Sequence, residues 1–512
     1  MNPFTHSPSR RGFLAGAGTA LAGTALPAQA QTEAQAQSPS PPGLAGRFPD
    51  FDPAYVEGAI KPFAQTSIYQ GGRLAVPMID LPFSKEAAIP PQIWGMLYDD
   101  WQPAMQEEGL SVFLQGLENR GPDNARKRIY MSALTPDLYA AHYRPKVQRA
   151  LDQLFDEAQA GVPLMRAYYD GYFDLYWDLH LGVRGADIPD EVREIGTAFN
   201  TVLGFWDPRE PRVYEAYMTV RALRPGLRDW IDARVQDVLD QRIDAPEATF
   251  VHYWAVNGEL GENFRREDVV FECFHNFLAF SQWGNTLYNI MAVLEPESGN
   301  PAARDWFTRT MQGTPDEVDD EGGFTPLDRL VMELFRTISP NTGSVSTLAD
   351  SQEGVTGTAF IIHPHPETSH DPRHWDDPAG FDPDRYRRVR TAAAVDEAAC
   401  ADLGFVRCPF SGAEMQVRDG RDVTLPSNGF GTVHATVEGA TQPLADHAGY
   451  APFGFGYRRC AGEWLTVDVF KDLLRHVWQE GIVFERLVEE GAEPLPVGPL
   501  AVIEDDIGFR RA

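Results

Sequence analysis

Apolar side chains recur at helical spacing over most of the first half of the chain. From residue 91 to about residue 294 they return every three or four positions, which predicts a succession of helices. Residues 272–294 are apolar on several faces, so we expect this helix to be buried. A further amphipathic helix is predicted over residues 464–478, and short strands are predicted after it. Long helices therefore dominate the pattern.

The composition is that of a globular protein with a strong negative charge. Of the 512 residues 43% are apolar, enough for one large packed domain or for two or three smaller ones. The formal net charge of −30 argues against nucleic acid or an anionic membrane as a partner, because both attract basic surfaces. A solvated acidic surface is the simplest explanation of this charge.

The start of the chain carries the features of an export signal. A twin-arginine pattern at residues 9–14 is followed by a mildly apolar run and by an Ala-x-Ala cleavage site at residues 28–30. We predict a twin-arginine signal peptide over residues 1–30, a flexible lead-in over residues 31–50 and a folded domain over residues 51–512. No other apolar run approaches the length of a membrane span, so we expect a periplasmic or secreted protein without an integral membrane span.

One cysteine lies in a glycine-rich loop directly before the amphipathic helix of residues 464–478. Gly454, Gly456 and Gly462 flank Cys460 and allow the backbone to approach a flat ligand closely. At the amino end of a helix, the unpaired N–H groups and the positive end of the dipole favour the thiolate, which is the form that binds metal. These residues therefore indicate a metal-binding thiolate.

The same stretch resembles the haem-binding signature of the cytochrome P-450 superfamily. Phe453, Gly456, Arg458, Cys460 and Gly462 match that signature at the right spacing. The resemblance implies a mainly α fold with small β-sheets (α+β), built as a single large domain around a buried haem b (iron protoporphyrin IX). It also implies that Cys460 is the axial ligand of the iron, that Phe453 and Gly456 shape the cofactor-binding loop, and that Arg458 holds a propionate.

A Glu-x-x-Arg sequence at Glu333 and Arg336 extends the resemblance. A spacing of three places both side chains on one face of a helix, where they can pair. Downstream, Arg385 lies in an Asp-Pro-Asp-Arg-Tyr segment that resembles the family's meander, in which an arginine completes a Glu-Arg-Arg network. We expect these three residues to have a structural role behind the cysteine loop.

Two helices of the first half supply further candidates by resemblance. Arg128 lies in a segment similar to the family's C helix and is expected to hold a propionate, while Asn124 stands where the family commonly has tryptophan. Asn285 and Thr286 interrupt the central apolar helix where the family has its oxygen-binding kink. The family commonly places an acid and an alcohol there, and Asn has no carboxyl proton to relay. A purely structural Asn285 stays open as the alternative.

The segment of residues 391–449 is long for the family, and its valines among Gly and Pro predict an insertion of short strands. In the family this side receives redox partners, so the insertion either alters their docking or is a surface loop. Cys400 and Cys408 either pair in an oxidising compartment or stay free, and Cys273 is expected to be free. Four histidines within residues 363–374 lack an orderly zinc-ligand spacing.

These features lead to one main hypothesis with alternatives. We predict a haem-thiolate oxidoreductase that oxidises a small or medium apolar organic substrate, as a monooxygenase or as a peroxide-driven peroxygenase. Asn285 and Thr286 would face the oxidant, with either a redox partner or peroxide as its source. Export slightly favours peroxide, because reductases are less available outside the cytoplasm. The alternatives are a hydroperoxide isomerase or lyase of the same superfamily, a non-catalytic haem binder, and a binding protein without haem.

Overall fold

The computed structural model shows a mainly helical protein with small antiparallel sheets, which confirms the predicted fold class. The predicted signal peptide and lead-in lie outside the described residues. The structure describes residues 129–130, 132–205, 210–257, 265–319, 324–340, 343–348, 359–364, 366, 369–370, 372, 375–388, 405–407, 415–417, 423–424, 433–437, 440–445, 450, 452–453, 460–487, 494–499 and 501–512.

Eight α-helices longer than ten residues make up about half of this described part. The first of them continues from a short turn of helix and a π-helical turn, which together cover residues 136–143. The helices are α1 (Arg144–Leu154), α2 (Leu164–Leu181), α3 (Asp190–Phe205), α4 (Pro211–Leu239), α5 (Arg266–Leu294), α6 (Pro301–Gln312), α7 (Pro326–Ile338) and α8 (Glu463–Gln479).

The central helix α5 is the one predicted over residues 272–294, and it begins earlier, at Arg266. The backbone N–H of Arg265 donates to Asp268 Oδ2 at 2.7 Å, which satisfies a group that the first turn leaves without a partner. Phe277 stacks on Tyr176 of α2 with the ring centroids 4.5 Å apart. The prediction of a buried central helix is confirmed. In the part of the chain that the structure describes, neither α5 nor another helix is long and apolar enough to cross a membrane.

Four helices, α1, α2, α5 and α8, line an apolar pocket of about 60 Å³. Each helix contributes to its wall, for example with Leu151, Tyr168, Leu287 and Phe470. Apolar area removed from water stabilises such a bundle by about 25 cal/mol per Å². The packing therefore fixes α5, the central helix, relative to α8, the helix that follows the cysteine.

Short antiparallel hairpins flank the helices. Strand β9 passes close to α5 at Gly498, where a Cβ atom would come within 3.2 Å of the Ser281 carbonyl oxygen, so glycine permits the approach. The pairs outside the predicted insertion are β1 (Gly343–Leu348) with β2 (Ala359–Pro364), β8 (Ile482–Arg486) with β11 (Ile507–Arg511), and β9 (Leu495–Gly498) with β10 (Ala501–Ile503).

The segment of residues 391–449 contains the short strands that its sequence predicts. Strand β3 pairs with β4, and β6 lies between β5 and β7 in a three-stranded sheet. The strands are β3 (Phe405–Arg407), β4 (Met415–Val417), β5 (Val423–Thr424), β6 (Val433–Val437) and β7 (Ala440–Ala445). The predictions of strands here and after α8 are both confirmed.

Candidate active site

The candidate site is built around Cys460, which lies just before α8. Its backbone N–H donates to the carbonyl of Phe453 at 2.8 Å, and this bond closes the loop between them. Gly462 occupies the N-cap of α8, and a Cβ atom there would lie 3.8 Å from Cys460 Sγ. Cys460 forms no disulfide and is partly exposed, whereas Ala461 and Glu463 are buried. The thiol is therefore accessible at the amino end of a helix, where the dipole favours a thiolate.

The predicted Glu-Arg-Arg network is present behind this loop. Arg336 donates from Nε and Nη2 to the two carboxylate oxygens of Glu333, each at 2.8 Å. Arg385 Nε donates to Glu333 Oε1 at 3.1 Å. The side chains of Glu333 and Arg336 are fully buried, so the pair is shielded from solvent. The predicted pairing of these three residues is confirmed.

Two further groups on Glu333 were not predicted from the sequence. The hydroxyl of Tyr386 donates to Glu333 Oε2 at 2.9 Å, and the backbone N–H of Asp382 donates to Oε1 at 2.9 Å. Burial, and then the charge of Glu333, raise the pKa of Tyr386. The sequence offers one indication of the Tyr386 contact, which is the position of this tyrosine directly after Arg385. Glu333 thus accepts hydrogen bonds from four residues, which fixes the meander against α7.

Phe335 connects this network to the cysteine loop. Its ring packs edge-on against Phe453 with centroids 5.5 Å apart, and edge-on against Phe470 of α8 with centroids 5.6 Å apart. Phe335 is itself fully buried. A shift of α7 would therefore displace both Phe453 and α8, because a densely packed interior leaves no space in which Phe335 could move alone.

Asn285 and Thr286 lie in the buried middle of α5, and hydrogen bonds occupy their polar atoms. Asn285 Nδ2 donates to the carbonyl of Pro340 at 2.5 Å, and its Oδ1 accepts from Asn289 Nδ2 at 2.8 Å. The hydroxyl of Thr286 donates to the carbonyl of Gln282 at 2.8 Å. Both side chains therefore form hydrogen bonds inside the fold, which is a structural role. Their proposed contact with an oxidant stays a prediction.

Gly456, Arg458 and Arg128 lie outside the described residues, so their predicted cofactor contacts also stay predictions. The chain is described again from residue 129, and Tyr130 belongs to a buried polar chain that the sequence did not reveal. Its hydroxyl donates to Asn276 Oδ1 of α5 at 2.7 Å, and Trp254 Nε1 donates to its carbonyl at 2.9 Å. Burial, then Glu272 and then the charge of Cys460 raise the pKa of Tyr130.

The polar chain ends at His180 of α2, whose tautomer follows by elimination. His180 Nδ1 lies 2.8 Å from the carbonyl of Tyr176, which can only accept, so Nδ1 carries the proton. The other ring nitrogen, Nε2, then accepts from Asn276 Nδ2 at 3.0 Å. The hydrogen bonds therefore all run in one direction: Tyr130 donates to Asn276, and Asn276 donates to the imidazole of His180. Burial keeps the ring neutral and lowers the pKa of His180 to about 3.

This neutral histidine predicts a pH-dependent stability. An unfolded histidine titrates near pH 6.5, so below that pH the unfolded chain binds a proton that folded His180 refuses. Its contribution is therefore present above pH 6.5 and is lost as the pH falls toward about 3. We expect a loss of about 1.4 kcal/mol per pH unit in this window.

Urea unfolding of the native sequence and of His180→Gln at pH 6.5, 5.5 and 4.5 would measure this effect. The variant retains the carboxylates and His275, whose pKa burial also lowers to about 3, so the difference between the two slopes isolates His180. Equal slopes in the two proteins would contradict the assignment of a neutral His180.

The residues at the site fit an iron bound in haem. A thiolate is one of the protein donors that haem iron takes as an axial ligand, and the porphyrin supplies the equatorial ligands, so one side chain suffices. Cys460 offers such a donor at an accessible position, on a loop held by Phe453 and by α7. Cys273, the other cysteine described, is fully buried inside α5, and burial raises the pKa of its thiol, so it is a poor metal donor.

Solved structures of cytochromes P-450 resemble this protein in fold. A variant of cytochrome P-450 OleT in complex with arachidonic acid matches with a TM-score of 0.52 and 16% identity, over 88% of this chain and 89% of that chain. Cytochrome P-450EX alpha with myristic acid matches with a TM-score of 0.51 and 14% identity, over 86% and 88% of the two chains. A variant of cytochrome P-450SP alpha matches with a TM-score of 0.51 and 14% identity, over 86% and 90%.

No protein-family model and no curated protein sequence matches the chain. At these identities the structural similarity establishes the fold. The chain has the cytochrome P-450 fold, with Cys460 placed before the amphipathic helix α8 and with Phe335 of α7 packed on Phe453 of the cysteine loop.

Proposed function

We propose that the protein is a haem-thiolate oxidoreductase that oxidises a small or medium apolar organic substrate. The observation that carries the proposal is Cys460, a partly exposed cysteine at the amino end of the amphipathic helix α8 in a chain with the cytochrome P-450 fold. Cys460 would bind the iron of haem b, and Arg458 and Arg128 would hold its propionates. When bound, haem supplies the iron centre at which the oxidant is activated.

The oxidant we favour is peroxide, including an organic hydroperoxide. At the middle of α5 the chain offers an amide, Asn285, in place of a carboxylic acid, and this amide is held by Pro340 and Asn289. An amide has no acidic proton to relay, whereas oxidation with dioxygen and reductase-supplied electrons consumes protons. The proposed export to the periplasm or the exterior supports the same choice, because peroxide needs no reductase.

The first substrate class to test is long-chain fatty acids and their hydroperoxides. Among similar structures, cytochrome P-450 OleT was solved with arachidonic acid and cytochrome P-450EX alpha with myristic acid.

The test begins with protein expressed with a haem supply and continues to turnover. We expect a Soret band and, after reduction, a long-wavelength carbon monoxide band. Hydrogen peroxide with a fatty acid, a fatty-acid hydroperoxide alone, and an electron-transfer system with a fatty acid would then be compared side by side. We expect product formation with one of the two peroxides to exceed that with the electron-transfer system.

The control for this comparison is the same protein without its oxidant. Faster product formation with the electron-transfer system would point to a monooxygenase. Haem binding without turnover under any condition would indicate a non-catalytic haem binder. Protein without a Soret band would refute the proposed function.

A further inference from the structure

The apolar pocket between α1, α2, α5 and α8 lies away from the cysteine loop. Trp283 and Leu287 of α5 and Phe470 of α8 form part of its buried inner wall. Phe470 lies seven residues beyond the first residue of α8, about 10 Å along the axis of that helix. Neither Phe453 nor Cys460 lines the pocket. A molecule bound in it would therefore occupy a different place from a ligand held at Cys460.

The wall of this pocket is apolar and uncharged. The lining residues are aliphatic, aromatic or glycine, and the surface that they present to the pocket is almost entirely carbon. A water molecule needs two to four polar partners, so such a wall does not hold ordered water, although the volume exceeds the roughly 10–15 Å³ that one water requires. An apolar molecule, in contrast, gains free energy when it leaves water for such a wall. The pocket therefore favours an uncharged, apolar ligand.

Gly171 of α2 leaves part of this space open. It follows Tyr168 by three residues and precedes Leu175 by four, so the three residues share one face of α2, and all three line the pocket. A Cβ atom at Gly171 would meet no atom within 4 Å. Gly171, Leu175 and Ala150 of α1 are partly exposed, so a small molecule can enter between α1 and α2.

The volume of the pocket limits the size of the ligand. An apolar cavity of about 150 Å³ binds benzene, which has six non-hydrogen atoms, so the 60 Å³ of this pocket corresponds to about two or three of them. We propose that the pocket is a binding site for a small uncharged apolar molecule of this size, the class of the light hydrocarbons and halomethanes.

An occupant of this site would contact both α5 and α8. Trp283 and Phe470 face the pocket from the two helices, and Trp283 Nε1 also donates to Thr466 Oγ1 of α8 at 3.1 Å. A ligand that binds the folded chain alone stabilises it by mass action. The bound molecule should therefore stabilise the packing of α5 against the helix that follows Cys460, whether or not the proposed haem-thiolate function holds.

Xenon is the probe for this site, because it is apolar and binds in dry protein cavities. Xenon would be titrated into the full-length native protein and into Gly171→Val, with binding followed by the chemical shift of dissolved xenon. Valine adds three carbon atoms on the face of α2 that lines the pocket. We expect saturable binding to the native protein, a rise in its urea midpoint under xenon pressure, and loss of both effects in the variant.

The matched control is Gly226→Val, the same change at an exposed glycine of α4, where a Cβ atom also meets nothing within 4 Å. It should bind xenon as the native protein does. Without xenon, Gly171→Val should unfold at a higher urea concentration than the control, because only its added carbons become buried. A lower urea midpoint than that of the control would show that the valine does not fit the pocket.

Gly171→Ala is the second variant, since it adds one carbon atom at the same place and favours the helix. We expect xenon to bind it more weakly than the native protein. Equal xenon binding by the native protein and both Gly171 variants would place xenon elsewhere and overturn the proposal, as would the absence of saturable binding to the native protein. Absence of a Soret band would overturn the proposed function and leave this site unaffected.

Discussion

Replacing Cys460 with alanine is expected to abolish the long-wavelength carbon monoxide band of the reduced protein. The band requires a thiolate on the iron, and Cys460 is the thiol at the amino end of α8. Alanine removes the donor while the loop keeps its backbone bond from residue 460 to Phe453. We expect complete loss of the band and of turnover, and a haem content well below that of the native protein.

The matched control is Cys273→Ala, which removes the other cysteine that the structure describes. Cys273 is fully buried in α5, so the control costs some stability as a small cavity opens, but it should keep the band. Spectra of dithionite-reduced, carbon monoxide-saturated proteins would decide the assignment. Persistence of the band in the Cys460 variant, or its loss in the Cys273 variant alone, would show that the ligand is misassigned.

The features predicted correctly from the sequence are those that local chemistry determines. The buried helix α5 and the helix α8 follow from apolar spacing, which reports the faces of a helix directly. The pairing of Glu333 with Arg336 follows from their spacing of three on one helix. The structure also contains the short strands of residues 391–449, which the sequence predicts from its valines among Gly and Pro.

The features that the sequence did not reveal depend on partners far apart in the chain. Tyr130 and Asn276 are separated by 146 residues, and Asn276 and His180 by 96. No spacing rule connects such residues, because only the folded chain brings Tyr130, α5 and α2 together. In the sequence nothing distinguishes His180 from the aromatic residues around it in α2.

The middle of α5 shows the same limit at the candidate site. The sequence singled out Asn285 and Thr286 because they are polar residues in an apolar run. It could not show that Pro340 and the carbonyl of Gln282 accept their hydrogen bonds. Which polar residue remains available depends on burial, and burial is a property of the fold.

Replacing Glu333 with glutamine is expected to destabilise the folded protein by about 3–5 kcal/mol, a large part of the stability of an ordinary domain. The change preserves shape but removes the carboxylate charge that pairs with Arg336, whose side chain is fully buried. The new amide also points N–H groups at guanidinium donors, so at least one of the bonds from Arg336 and Arg385 is lost. Because Phe335 packs on Phe453 and Phe470, the cysteine loop should loosen with α7.

Urea unfolding followed by circular dichroism would measure this loss, and the ratio of Soret to protein absorbance would report how much haem the loosened loop retains. The matched control is Asp237→Asn, which removes the acid that pairs with Arg234 and Arg242 at the surface, where the two arginines are 41% and 54% exposed. Solvent screens such pairs, so the control should cost no more than about 1 kcal/mol. If both variants lose similar stability, the Glu333 network does not brace the fold. If Glu333→Gln unfolds more easily yet retains its full haem content, the brace acts on the fold without reaching the cysteine loop.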